Sequence, residues 1–164
     1  MRSFTFAAAS ALALSFLSTG CTAATLAPRQ IVVSAHGTTV EPASGSTLTP
    51  GSAFSFSYTN EDYCHSGYSP ISVYLSTSAP TSADVTTSGG LVSGSFAYHF
   101  GDYLIANFGL PTMGTPPPST LTLPTLNGTV DGNTLYFSVV ETYNDCPGGV
   151  PFEYGLETTT VVYA

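Results

Sequence analysis

The chain has 164 residues, a formal net charge of −8 and only two fixed cations, Arg2 and Arg29, with no lysine. Lys and Arg drive nucleic-acid binding by releasing counterions from phosphates, so this composition excludes nucleic acid as a partner and disfavours anionic membrane surfaces. A basic partner or a divalent cation suits the charge balance better. The first segment reads as an export signal: Met1-Arg2 is a short positive region, Phe4 to Leu17 an apolar run, and Thr22-Ala23-Ala24 a small-residue cleavage site. Residues 1–24 are therefore expected to be a signal peptide, leaving 25–164 as one domain. No later run approaches the ~20 apolar residues of a membrane helix. The expected product is secreted and extracellular, a monomer without a membrane span.

The mature chain punctuates short β-like runs with turn residues. Ile31 to Ala35 is a first strand, ended by His36-Gly37, and Glu41 to Gly51 is turn-rich. Phe54, Phe56 and Tyr58 alternate with Ser55, Ser57 and Thr59, a period of two that buries one face. Asn60 to Gly67 crosses an acidic turn at Cys64, after which Ile71, Val73 and Leu75 alternate with Ser72, Tyr74 and Ser76. Ser78 to Gly90 reads as loop, Leu91 to Phe100 as a strand, and Gly101-Asp102 as a turn before Tyr103 to Ala106. Pro111 to Pro118 is an extended connector. Leu121 and Leu123 suggest a short strand, and Asn127-Gly128 and Asp131-Gly132-Asn133 are strong turn signals. Thr134 to Glu141 carries Leu135, Phe137 and Val139 on one face, and Thr158 to Tyr163 is the last strand. No helical stripe occurs. Roughly seven to nine short strands predict an all-β single antiparallel β-sandwich of immunoglobulin-like or C2-like type.

Three cysteines leave two once the signal peptide with Cys21 is removed, and an exported chain favours pairing Cys64 with Cys146. That bridge closes a loop of 83 residues counted inclusively, contributing ~4.5 kcal/mol on the chain-entropy model. It also brings two acidic turns together. Glu61, Asp62, Glu141 and Asp145 are weak candidates for Ca²⁺ ligands, since hard cations favour oxygen donors from neighbouring loops. Their spacing matches no known cation loop, and no metal or other cofactor is expected. His36, His65 and His99 form no ligand pair, and no nucleophile elbow or phosphate loop occurs. No catalytic residues are assigned. Asn127-Gly128-Thr129 is an N-glycosylation sequon at a turn.

Several words of the sequence carry a family likeness. Tyr63-Cys64, the run Gly67 to Leu75, Gly101-Asp102-Tyr103-Leu104, Phe108-Gly109, Cys146-Pro147 and Glu153-Tyr154-Gly155-Leu156 together resemble the fungal necrosis-inducing secreted protein family. The resemblance spans Ile31 to Tyr163. It implies a fungal effector with a role in virulence, some relatives of which bind receptor-associated kinases of a host, suppress immunity or trigger cell death. It supplies no site residues. On this reading the chain is a non-enzymatic binding protein for a host protein, with loop tyrosines such as Tyr68 and Tyr103 as candidate contacts. The competing reading is a secreted enzyme or accessory module acting on cell-wall polysaccharide.

Overall fold

The structure, a computed structural model, describes residues 31–128, 132–144, 146 and 152–164. Ten strands occupy them: β1 (Ile31–Val33), β2 (Thr38–Glu41), β3 (Ser46–Leu48), β4 (Ala53–Ser55), β5 (Ser57–Thr59), β6 (Tyr68–Ser76), β7 (Tyr98–Ala106), β8 (Thr120–Thr122), β9 (Asn133–Asn144) and β10 (Phe152–Tyr163). One turn of 3-10 helix, Ser82–Asp84, is the only helical element among the described residues. The expected signal peptide lies outside them.

The large sheet runs β1-β10-β9-β6-β7, with β3 also joined to β10. Its central pairs are antiparallel, but β1 and β3 both add in parallel to β10. Alternation sets the two faces, because successive side chains of a strand point to opposite sides. Leu135, Phe137 and Val139 of β9, Ile71, Val73 and Leu75 of β6, and Val161 and Tyr163 of β10 form one buried cluster on the inner face. The ribbons β2-β5 and β4-β8 cover that face, contributing Phe54, Phe56, Tyr58 and Leu121. The result is a two-layered, sandwich-like all-β arrangement. Phe54 meets Phe100 and Phe137 edge-on, with ring centroids 5.8 and 6.0 Å apart, a geometry the ring quadrupoles favour. Phe54 to Thr59 alternates as expected, yet it divides at Phe56 into two strands with different partners, β8 and β2.

The outer face is covered along part of its extent by the segment between β6 and β7. Val85 and Leu91 pack there on Tyr74, Val140 and Tyr154, with Phe96 and Leu156 at the margin. That segment corrects the expected strand at Leu91 to Phe100, because its first part wraps over the sheet and the strand begins at Tyr98. Gly101-Asp102 is likewise no turn. The pairing of β7 with β6 shifts register opposite Val73 and Tyr74, and Gly101 takes a φ of 148° there. This bulge resets the alternation. Phe100 before it and Tyr103 and Ile105 after it all pack against the inner cluster, leaving His99 and Asp102 together on the outer side.

Candidate functional site

The Cys64–Cys146 bridge is present, with Cα atoms 4.9 Å apart. It fastens the loop that precedes β6 to the end of β9. The strongest group organising that loop is Glu141, fully buried on the inner-facing register of β9. Its Oε2 accepts the Tyr58 hydroxyl at 3.0 Å and the Glu61 N–H at 3.1 Å, while Oε1 accepts the Asp62 N–H at 3.1 Å. Burial, followed by the charge of Glu141, pushes the Tyr58 and Tyr143 hydroxyls far above the ordinary tyrosine range. Glu141 thus holds the loop by its backbone, in the way a carboxylate satisfies orphan N–H groups elsewhere.

This geometry differs from the cation cage considered for the acidic turns. Glu141 spends its oxygens on protein donors, Glu61 is exposed, and Asp62 keeps one buried oxygen, Oδ1, without a hydrogen-bond partner. Asp145 lies outside the described residues. Among the described residues, the cluster of potential ligands comprises Cys64, Cys146 and Glu153, within 4.8 Å of one another. Both sulfurs there are committed to the disulfide, so they offer no thiolate to a metal.

The same loop builds the base of an exposed turn. Asn60 Nδ2 donates to Ser69 Oγ and to Asn107 Oδ1, both at 2.9 Å. Asn107 Nδ2 donates in turn to the Ser66 carbonyl at 2.9 Å and to Ser69 Oγ at 3.0 Å. Asn107 then starts a tight turn closed by the Leu110 N–H on its carbonyl at 2.9 Å. At the turn's centre Phe108 and Gly109 both have positive φ, 54° and 70°. Phe108 is 71% exposed, and Leu110 and Met113 beside it in sequence are exposed as well. A Cβ on Gly67 would meet Leu110 Cδ1 at 2.9 Å, so the turn rests directly on the loop held by Glu141.

Tyr68 and Tyr103 occupy supporting positions. Tyr68 is half-buried and its hydroxyl donates to the Pro111 carbonyl at 3.0 Å. Tyr103 packs into the inner cluster and donates to the Phe100 carbonyl at 3.2 Å. Phe108, Leu110 and Met113, none of them expected as a contact residue, bring exposed apolar side chains close together in sequence, and Val40, Tyr63, Val92, Tyr98 and Phe152 are exposed elsewhere. Asn107 and Gly109 signal a turn, but no residue there signals the outward ring. Asn127 is exposed in a turn after β8, as a glycan acceptor requires, while Thr129 of its sequon lies outside the described residues.

One polar constellation sits on the outer face. Asp102 Oδ1 accepts Ser72 Oγ at 2.6 Å and contacts His99 Nε2 at 3.1 Å. The carboxylate therefore stands between hydroxyl and imidazole. A nucleophilic serine needs its proton directed to a base that is itself oriented by a third group, and here the hydroxyl is turned to the carboxylate instead. No protein-family model, curated protein or solved structure matches the chain.

Proposed function

We propose that this chain is a secreted binding protein, effector-like in action, that works by docking the Phe108 turn onto a host protein. The observation that carries this reading is Phe108 itself, a large aromatic 71% exposed on a backbone with φ of 54°. A left-handed conformation costs a non-glycine residue about 1–2 kcal/mol, and such strain concentrates at functional positions. The network of Asn60, Ser69 and Asn107 fixes the turn from below, which lowers the entropy lost when a partner covers it. Exposed Leu110 and Met113 extend the apolar area around the aromatic anchor.

Charge selects the partner. A net charge of −8 without lysine favours a basic surface, and the family resemblance points to a receptor-associated kinase. The test is binding to a purified receptor-associated kinase domain, measured by surface plasmon resonance at several salt concentrations. Phe108→Ala is expected to weaken binding at least thirtyfold, about 2 kcal/mol, and salt to slow association more than it speeds release. Because the side chain is exposed, the variant keeps its melting temperature. Unaltered affinity for Phe108→Ala would reject the docking surface. Release of soluble sugar from a wall preparation would replace the binding reading by the enzymatic one.

A further inference from the structure

We infer that the cleft on the outer face of the large sheet, between β7 and the turn Thr86–Gly90, is a saccharide-binding site. It shares no residue with the Phe108 turn and does not depend on that reading. The cavity is about 310 Å³, at the small end of the ~300–1,000 Å³ typical of ligand pockets. Its chemistry is that of a neutral polyol rather than an anion or a hydrocarbon. The described residues include neither Lys nor Arg, so a phosphate or carboxylate finds no fixed cation. The hydroxyls of Ser72, Ser88 and Thr142 line the walls, with Asp102 and His99 at the β7 side.

Asp102 is the centre of the site. Its Oδ1 is held by Ser72 at 2.6 Å and His99 at 3.1 Å, yet the side chain stays 70% exposed. A carboxylate oriented in advance but open to solvent is suited to accept hydrogen bonds from adjacent ring hydroxyls, and charge-assisted bonds of this kind are about twice as strong as neutral ones. Beside it the His99 ring stacks on Tyr74, with centroids 4.6 Å apart and planes 18° apart. The imidazole is thus fixed as a flat surface, with its side chain 34% exposed, against which the C–H face of a sugar ring can lie. The opposite wall is rigid too. Thr86 closes its turn through its N–H to the Gly90 carbonyl at 2.7 Å, and a Cβ on Gly90 would meet Tyr74 Oη at 2.7 Å. The bulge at Gly101 is what sets His99 and Asp102 side by side on this face.

The test titrates isotope-labelled secreted protein, folded with its disulfide, with laminarihexaose, cellohexaose and chitohexaose, followed by amide chemical shifts. At least one glycan is expected to give saturable shifts at Ser72, Ser88, His99 and Asp102, with a Kd in the millimolar range or below. Asp102→Ala should weaken that binding tenfold or more, the loss expected for a hydrogen bond to a charged group. Ser88→Trp, at an exposed turn position, should block the cleft without disturbing Asp102, and Phe108→Ala should leave it unchanged. Melting curves of each variant separate lost binding from lost fold. The site is rejected if none of the three glycans saturates, if the shifts map outside the cleft, or if Asp102→Ala and Ser88→Trp bind as well as the parent. Saturable binding of choline in the cleft, with no glycan bound, would equally overturn it.

Discussion

At position 141 a carboxylate stands where strand alternation calls for an apolar residue. Leu135, Phe137 and Val139 face the inner cluster, and the same period of two carries Glu141 and Tyr143 inward after them. The cost of burial is offset by three donors, the Tyr58 hydroxyl and the N–H groups of Glu61 and Asp62, each of which would otherwise be left unsatisfied. Glu141→Ala is therefore expected to destabilise the fold by about 3 kcal/mol or more, read from urea denaturation. Glu141→Leu, which fills the space, should do little better, because the donors remain without an acceptor. A Leu variant as stable as the parent would show that volume and not hydrogen bonding matters there. The role was legible in the sequence had the alternation been extended by one step, since the residues beyond Val139 keep its parity. Read as a member of an acidic turn, Glu141 counts instead among the weak Ca²⁺-ligand candidates. Phe108 was harder to see, because nothing in Asn107-Phe108-Gly109 says that the ring points outward. Exchange for glycine relieves the left-handed strain, so Phe108→Gly should raise stability by about 1 kcal/mol while abolishing the proposed docking; a calorimetric melt checks the first half.

Elements were legible in proportion to how cleanly they alternate. β6 and β9 read directly from their inward series because both have one face in the core and neighbours on both sides. β7 did not, since the bulge at Gly101 breaks its period, and a glycine followed by aspartate carries the signature of a turn as much as of a bulge. Of the two three-residue strands that join β10 in parallel, β1 lies within the strand expected at Ile31 to Ala35, whereas β3 falls in the stretch Glu41 to Gly51, whose prolines and glycines read as turns. Between the loop before β6 and the end of β9 the disulfide was readable from cysteine arithmetic alone. Intact mass of the folded protein should show no free thiol at Cys64 or Cys146, and Cys146→Ser should cost about 2–5 kcal/mol, measured by urea denaturation with the slope free to rise as the unfolded chain expands. A fold that tolerates the serine with no loss would mean that the Glu141 contacts hold the loop unaided.

For the molecule as a whole, buried tyrosines set the alkaline limit. An unfolded tyrosine loses its proton near pH 10, whereas Tyr58 and Tyr143 resist because burial first, and then Glu141, disfavour the phenolate. Below about pH 10 both states are protonated and this contribution to stability is complete. Above it the unfolded chain binds fewer protons than the folded one, so stability falls as pH rises, by about 1.4 kcal/mol per pH unit for each such tyrosine. Absorbance at 295 nm should therefore show a fraction of the ten tyrosines, Tyr58 and Tyr143 among them, ionising only with cooperative loss of circular dichroism. Smooth titration of all ten near pH 10 with the fold intact would contradict it. The wiring of the large sheet bears on how such a molecule comes into being. Ile31 pairs with Glu153, 122 positions on (153 − 31), and Ser46 with Val161, 115 positions on (161 − 46). A ribosome releases the chain in order, so β7, β6 and β9 can pair as they emerge, yet β1 and β3 wait for β10. The emerging polypeptide can therefore form the β7-β6-β9 part of this sheet but cannot place β1 or β3 until β10 is out. The earliest-made strands thus join last, and pairings so distant in sequence slow folding.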